Sequence, residues 1–275
     1  MAKTNDRIVR IVFWLLIGLM LGIFIDRTFI DKDDDALHPN SDNLSITISN
    51  INDKPTGKIC IVIDDFGTDK NYSQYFDLND NLVFAIIPNT IYSREIDSLA
   101  FIQNIETIVH MPMKTESYPD SMYRDVVLYP GMSRDSIDMK LDIAFSDLPN
   151  AIGINNHQGS IATADLQLMK DLARSLKNRK KYFLDSYTNS DSKAFTTMRQ
   201  YGVKTQIRQV FLDNDADNPT HINNQIDSLL KISKDMEVAI GICHIRPTTY
   251  NVLKNRIPKI LEQGYEIVRL SDFVH

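Results

Sequence analysis

Residues Lys58–Gly67 read KICIVIDDFG, a short apolar run that ends in two carboxylates and a glycine. Similar runs recur along the chain, with β-branched residues bounded by turn residues, as is typical of strands. They lie at Leu82–Ile87, Thr107–Met111, Ala151–Ile154, Lys181–Leu184, Gln209–Leu212, Val238–Cys243 and Glu266–Val268. Short apolar runs without alternation are expected where helices cover both faces of a parallel sheet.

Amphipathic stretches separate most of these strands, with apolar residues at the three- and four-residue spacing of a helix. The clearest are Ser133–Phe145, Leu166–Leu176, Ile222–Ile232 and Val252–Leu261. Repeated alternation of strand and helix predicts a parallel α/β fold. The length that follows Gly57 suffices either for a (β/α) barrel or for an open doubly wound sheet.

Composition excludes several classes of protein. The 275 residues include 30 Lys+Arg and 36 Asp+Glu, a net charge of −6 without a basic run, so nucleic-acid binding is not expected. The two cysteines, Cys60 and Cys243, exclude a disulfide-dense scaffold and a cysteine-rich zinc module. On predicted strands they would differ in height by about 10 Å, too far for a disulfide, so both are expected to be buried thiols.

Residues 11–25 (IVFWLLIGLMLGIFI) are uncharged and predict a transmembrane signal anchor. Basic residues precede this run and acidic residues follow it, which predicts that residues 1–10 are a cytoplasmic tail. We therefore expect a single-pass protein of the bacterial inner (plasma) membrane, with the rest of the chain in the periplasm or outside. A cleaved signal peptide is the alternative, although no small-residue cleavage site follows the run.

Polar residues 26–56 predict a tether, and residues 57–275 a single ordered domain. Gly18 and Gly22 form a G-x-x-x-G pattern inside the predicted anchor. This pattern favours at most a weak homodimer, because glycine is common in membrane helices.

Imidazoles and carboxylates gather at the predicted carboxyl ends of the strands, where parallel α/β folds place their functional groups. The histidines are His110, His157 and His244, and the carboxylates are Asp64, Asp65, Asp185 and Asp213. Singly, each is explained as a helix cap or a satisfied polar residue. Together they suit a divalent metal, most simply zinc with three protein ligands and an open position.

The pair Asp64-Asp65 permits a division of labour, because one carboxylate can reach a metal while the other stays free as a base. A bound metal lowers the pKa of water and polarises a carbonyl oxygen. A histidine across the site can protonate the leaving group. The sequence holds no phosphate-binding glycine loop and no nucleophile elbow. It therefore predicts metal-assisted hydrolysis of an amide or ester.

At these residues the chain resembles the divergent polysaccharide deacetylase family, which is related to the NodB-homology carbohydrate esterases. The resemblance covers about Gly57 to Val274. It is carried by IVIDDFG (Ile61–Gly67), HMPM (His110–Met113), GINNHQGS (Gly153–Ser160), FLDS (Phe183–Ser186), VFLDN (Val210–Asn214) and IGICHIRPTT (Ile240–Thr249). It implies a distorted (β/α) barrel of about seven strands, a bound zinc or similar ion, and removal of N-acetyl or O-acetyl groups from a polysaccharide or peptidoglycan.

The resemblance also implies roles for single residues. Asp64 matches the general base of the related esterases and Asp65 a metal ligand. His244 matches the histidine that protonates the leaving group, with either Asp185 or Asp213 orienting it.

The chain departs from the related esterases at the metal histidines. They take both from one H-x-x-x-H motif, whereas Lys114 stands four residues after His110. We therefore expect His110 and His157 to complete the metal set with Asp65. Residues that the family leads us to expect are also absent: Arg near Tyr187, Asp near Gln209, Pro near Ile245 and an acid near Thr248.

Substrate contacts are expected around the same strand ends. Asn156 and Ser160 flank His157, while Arg208 and Arg246 are available to bind an anionic group or to steady the site carboxylates. The stretch Lys114–Met132 is a candidate substrate-binding loop. Four tyrosines are candidates for sugar stacking: Tyr118, Tyr123, Tyr129 and Tyr187.

The sequence thus predicts a membrane-anchored, metal-dependent deacetylase of an envelope polysaccharide, with metal-activated water, Asp64 as base and His244 as acid. Two alternatives stay open. One is a non-catalytic envelope module that keeps the fold and binds a glycan or a partner, which the missing H-x-x-x-H favours. The other is a metal-dependent hydrolase of a different bond, such as a peptide amide or phosphate ester.

Overall fold

A curled parallel sheet of nine strands dominates the computed structural model, which describes residues 55–116 and 123–275. The strands are β1 (Gly57–Phe66), β2 (Val83–Ile86), β3 (Glu106–Met113), β4 (Gly153–Gln158), β5 (Tyr182–Asp185), β6 (Thr205–Ile207), β7 (Val210–Phe211), β8 (Ala239–His244) and β9 (Tyr265–Ile267). Every strand pairing is parallel, as the apolar runs predict.

The strand order is β6-β5-β4-β3-β2-β1-β8-β7, and β9 pairs with β1 off this path. The two ends of the order, β6 and β7, are separated in the chain by only Arg208 and Gln209. The amide of Arg208 continues the ladder to Asp185 on β5, and that of Gln209 bonds to Ile240 on β8. A sheet whose edge strands are consecutive in the chain must curl, so the architecture is a parallel half-barrel.

The predicted (β/α) barrel is therefore confirmed in its parallel α/β architecture and its curl, but the described residues form nine strands rather than about seven. Within the described ranges, β6 pairs with β5 and β7 pairs with β8, and the two do not pair with each other. One extended segment joins the edges covalently, so no hydrogen-bonded ladder closes the barrel there.

Six α-helices connect the strands of the described chain. They are α1 (Ser93–Ile102), α2 (Arg134–Asp147), α3 (Leu166–Arg179), α4 (Ala194–Gln200), α5 (Pro219–Ile232) and α6 (Pro247–Glu262), with 3₁₀ turns at Lys70–Asp77 and Leu270–Asp272. All four predicted helices are present. Local capping fixes their starts: the side chain of Asp165 accepts a hydrogen bond from the amide of Leu168, and prolines begin α5 and α6.

Two apolar layers flank the sheet, because successive side chains of a strand point to opposite faces. On β1, Ile59, Ile61 and Ile63 belong to the large layer that includes the helices. Cys60 and Val62 belong to a smaller cluster built from the strands and the chain end at Leu270–Val274. That smaller cluster fills the concave side of the curled sheet.

The same alternation carries polar residues onto the concave side at the carboxyl ends of the strands. Asp64 follows Val62, His110 follows Ile108, and His244 follows Ile242, each two residues on. On β4 the concave positions are Gly153, Asn155 and His157. The apolar filling of the half-barrel therefore gives way to a polar site at its mouth.

Both cysteines are buried free thiols, as expected. The pKa of each thiol is raised, chiefly by burial, which leaves it protonated and unreactive. No helix of residues 55–116 and 123–275 is long and apolar enough to cross a membrane. The predicted tail, the anchor at residues 11–25 and nearly all of the tether lie outside the described residues.

Candidate active site

A backbone irregularity brings both carboxylates of the pair to one place. The register of β1 against β2 shifts between Ile63 and Phe66, and Asp65 has a left-handed φ of 68°. Regular alternation would send the side chain of Asp65 to the helix side. The irregularity turns it inward instead, and aspartate tolerates the left-handed region better than most residues.

Three ligand atoms form a compact triangle at this point. Asp65 Oδ1 lies 3.2 Å from His110 Nε2 and 3.0 Å from His157 Nδ1. The two ring nitrogens are 3.0 Å apart. Ligands held about 2.0–2.1 Å from a tetrahedral zinc stand about 3.3 Å from each other. Only a small expansion of the triangle would accommodate the ion.

The oxygen at the corner of the triangle also points to a cation. Asp65 Oδ1 is buried and has no hydrogen-bond partner of acceptable geometry, despite the two nearby ring nitrogens. Burial would raise the pKa of Asp65, but the two neighbouring imidazoles of His110 and His157 outweigh it and lower that pKa. An ionised, buried carboxylate oxygen without a proper partner fits a metal ligand.

Asn155, which sequence reasoning missed, fixes the orientation of His110. Its Oδ1 lies 2.7 Å from His110 Nδ1, and its Nδ2 donates to Asp64 Oδ1 at 2.8 Å. Since an amide oxygen only accepts, Nδ1 carries a proton and a neutral His110 ring presents the lone pair of Nε2 to the triangle. The signal in the sequence was its position two residues before His157 on one strand.

The site attracts positive charge. Burial lowers the pKa of His110, but the carboxylates of Asp64 and Asp65 outweigh it and raise the pKa to about 9. At His157 burial dominates and lowers the pKa, which favours the neutral ring that binds metals. Either a proton or a divalent ion would supply the charge that the carboxylates favour.

Asp64 stands beside the triangle without completing it. Its Oδ2 is 3.6 Å from His110 Nε2, and its side chain is almost fully buried. Burial raises its pKa despite the opposing effects of His110, His244 and Asn155. A carboxylate with a raised pKa next to a metal site is suited to accept a proton.

His244 faces the same site from β8, where it pairs in register with Asp64 on the neighbouring strand β1, and it is held by Asp213. Its Nδ1 lies 2.8 Å from Asp213 Oδ1, and its amide donates to Asp213 Oδ2. Thr249 also donates to Asp213 Oδ2. Burial would lower the pKa of His244, but the hydrogen bond to Asp213 and the surrounding carboxylates outweigh it and raise the pKa. His244 Nε2 then lies 4.0 Å from Asp65 Oδ2.

The structure separates the two aspartates that the sequence left as alternatives. Asp213 contacts His244, whereas the carboxylate of Asp185 accepts hydrogen bonds from Tyr187, Ser192 and Phe195 and so holds the loop after β5. Asp185 is thus a loop-holding residue and does not orient His244.

The two predicted arginines also differ. Arg246 donates to the carbonyl oxygen of Asp213 and lies 3.6 Å from its carboxylate, so it steadies a site carboxylate. Arg208 donates instead to the carbonyl oxygens of Ser186 and Tyr187.

The remaining predicted contacts surround the mouth. Asn156 bonds to Gln158 and Ser186, and Ser160 bonds to Thr115, so both tie neighbouring loops together. Their role in substrate binding stays a prediction.

The candidate loop Lys114–Met132 is described on both sides of residues 117–122. The ring of Tyr123 meets that of His157 edge-on, with centroids 5.5 Å apart. Tyr129 and Tyr187 are exposed. Tyr118 lies outside the described residues.

Solved structures resemble this fold. An uncharacterized protein from Agrobacterium tumefaciens C58 aligns with a TM-score of 0.74 at 19% identity, over 79% of this chain and 89% of that one. A lactam utilization protein from Thermus thermophilus aligns with a TM-score of 0.56 at 12% identity, over 78% of this chain and 100% of that one. At these identities the likeness concerns the fold alone.

Relatives in sequence are themselves uncharacterized. The protein YibQ of Escherichia coli K12 is 33% identical over 202 residues, 73% of this chain and 62% of that protein. A protein of Haemophilus influenzae is 35% identical over 198 residues, 72% of this chain and 70% of that protein. The match thus spans less than two thirds of the length of the E. coli relative. Residues 61–274 match the family described as divergent polysaccharide deacetylase, a range that includes nearly all of the half-barrel and every residue of the site, and the chain belongs to that family.

Proposed function

We propose that this protein is a metal-dependent hydrolase that removes acetyl groups from an envelope polysaccharide, with a divalent ion, most simply zinc, held by Asp65, His110 and His157. The observation that carries the proposal is the ligand triangle around the unpartnered Asp65 Oδ1, with Asp64 beside it. The family assignment supports the acetylated glycan as substrate.

A bound divalent ion would polarise the acyl carbonyl and lower the pKa of water. Asp64 is placed to take the proton of the attacking water, whose oxygen bonds to the acyl carbon. His244, whose protonated form Asp213 stabilises, donates a proton to the leaving nitrogen or oxygen as the acyl bond breaks. The products are acetate and a free amine or hydroxyl group on the glycan.

The geometry of the site argues against the alternative of a non-catalytic binding module. The missing H-x-x-x-H does not leave the triangle incomplete, because His157 from β4 supplies the second ring. A module that only binds has no use for a buried proton acceptor beside the triangle or for a second histidine held by its own carboxylate. These two features favour an enzyme.

The membrane anchor belongs to the same proposal and is supported by the uncharged run at residues 11–25 with its flanking charges. We expect the full chain to stay with bacterial inner membranes after alkaline carbonate extraction and to be released when residues 1–26 are removed. Release of the full chain by carbonate would contradict the anchor.

Acetate release tests the reaction. The full chain, supplied with zinc, is assayed on N-acetylated and O-acetylated glycans beside Asp64→Asn and the matched control Asp227→Asn, an exposed aspartate paired with Arg256. We expect Asp64→Asn to lower kcat by about 10²–10⁴-fold with the bound zinc unchanged, and the control to match the wild type. A zinc-loaded wild type that releases no acetate would favour a binding module or a hydrolase of another bond.

A further inference from the structure

Phe211 covers one face of the His244 ring. The two rings are stacked with centroids 5.1 Å apart and an angle of 23° between their planes. Phe211 lies on β7, two residues before Asp213, so the same alternation directs both side chains to the concave side of the sheet. One short segment thus supplies both the hydrogen-bond acceptor and the flat neighbour of His244.

Arg208 lies against the Phe211 ring. Its guanidinium carbon is 4.6 Å from the ring centroid, within the range of a cation–π contact. The same guanidinium donates to the carbonyl oxygens of Ser186 at 2.7 Å and Tyr187 at 2.9 Å. The loop after β5 therefore holds Arg208, and Arg208 in turn contacts Phe211.

Asp213 alone does not fix the plane of the imidazole. One hydrogen bond at Nδ1 restrains that nitrogen but tolerates modest changes of angle, so joint changes of the two side-chain torsions would still tilt the ring and displace Nε2. A flat ring stacked on one face opposes that tilt. The direction of Nε2 toward Asp65 therefore depends on both contacts.

We propose that Phe211 and Arg208 form a positioning pair that holds the imidazole plane of His244, so that Nε2 stays directed into the site. The catalytic consequence rests on the proposed function, whereas the effect on the ring itself does not. Arg208 is then a support for Phe211 rather than a binding site for an anionic substrate group.

The first test observes the ring without an activity assay. The full chain is labelled with carbon-13 at histidine Cε1, and the His244 resonance is assigned by its loss in His244→Gln. In Phe211→Leu we expect this resonance to move downfield, because the shielding by the stacked ring is lost. Phe211→Tyr keeps the ring and should keep the wild-type position. An unchanged resonance in a folded Phe211→Leu would overturn the proposal.

The chain offers a matched control, because Arg199 lies over the ring of Phe195 on α4, with 5.6 Å to the centroid. Phe195→Leu and Arg199→Met remove a comparable pair that does not contact His244. We expect both to leave the His244 resonance unchanged, whereas Arg208→Met moves it. If Phe211→Leu does not fold, the comparison of Arg208→Met with Arg199→Met decides the question.

Kinetics separate positioning from substrate binding. If acetate is released, we expect Phe211→Leu to lower kcat on the order of 10–100-fold with KM nearly unchanged, and Phe211→Tyr to retain most of the activity. Arg208→Met should lower kcat in the same way. A rise in KM alone, with the His244 resonance unmoved, would assign Arg208 to substrate binding and overturn its part of the pair. A wild type without activity refutes the proposed function and leaves the resonance test intact.

Discussion

Asp65 combines two features that lower the stability of a folded protein. Its backbone is left-handed, and its buried carboxylate oxygen Oδ1 has no hydrogen-bond partner. Strained backbone persists where the surrounding structure holds it, and it gathers at functional sites. The strand-end pattern sufficed to predict that Asp65, His110 and His157 lie together. The backbone bend that lets Asp65 join them was not predictable, because alternation on β1 places its side chain on the other face.

At the residue scale we expect Asp213→Asn to lower the pKa of His244. The carboxylate raises that pKa in the folded protein, so its loss lets the imidazole deprotonate at a lower pH. Titration of the His244 resonance measures the shift directly. Acetate release should fall on the order of 10²–10⁴-fold, because the ring also loses its fixed tautomer.

Asp185→Asn is the matched control, since that aspartate ends β5 without contacting His244. It should leave the pKa of His244 near the wild-type value. A shift in Asp185→Asn as large as that in Asp213→Asn would contradict the assignment of Asp213.

At the element scale, periodicity predicted the long helices and the buried strands but missed the helices α1 and α4, the second of only seven residues, and the strand β6. The stripe of α1 that faces the sheet includes Asp97, a fully buried aspartate whose carboxylate bonds to Thr107 and Asn150. A buried polar residue breaks the apolar spacing on which helix prediction depends. β6 has three residues, two of them half-buried, and such a segment carries too little pattern to be recognised.

Gly153 provides a test of how closely β4 packs against the ring of Tyr182 on β5. A Cβ at this position would lie 2.4 Å from the ring of Tyr182. We expect Gly153→Ala to lower the free energy of unfolding by about 1–3 kcal/mol, because Tyr182 is buried and has little room to move. Urea denaturation of the full chain measures the change.

Gly131→Ala is a control for the loss of glycine alone, because its Cβ would meet nothing within 4 Å and only its φ of 84° is unfavourable. It should cost about 1 kcal/mol. A smaller loss in Gly153→Ala than in Gly131→Ala would show that the ring of Tyr182 yields easily.

At the scale of the whole molecule, two features hold the half-barrel together. The segment from β6 to β7 joins the two edges, and the chain end at Leu270–Val274 packs into the concave cluster. Glu106 binds this end in place, because it accepts hydrogen bonds from Tyr182 on β5 and from Ser271. Sequence patterns predicted the parallel strands and the helices that cover them, but they indicated eight strands, and the resemblance about seven, where the described part of the chain has nine. The contacts of Glu106 join residues 76 and 165 positions apart, which no local pattern encodes.

Glu106 should make the stability of the protein depend on pH. Burial raises its pKa above the ordinary value of 4.5, despite the opposing hydrogen bonds from Ser271 and Tyr182. The folded protein then holds a proton that the unfolded chain has released. Glu106 therefore lowers stability progressively as pH rises from about 4.5 through its folded pKa.

In Glu106→Gln we expect this decline to disappear, so that the variant gains stability relative to the wild type as pH rises through that interval. Urea denaturation at several pH values measures the difference. Parallel pH curves for the wild type and Glu106→Gln would contradict the raised pKa.

The most direct test of the central claim is the zinc content of the purified full chain, measured by mass spectrometry after dialysis against zinc and then against buffer. His157→Ala removes one corner of the triangle, and His221→Ala is its control, a half-buried histidine whose ring bonds to Asn214. We predict about one zinc per chain in the wild type and in His221→Ala, and its loss in His157→Ala. A wild type that holds no zinc, or a His157→Ala variant that holds as much as the wild type, would contradict the metal centre on which the account rests.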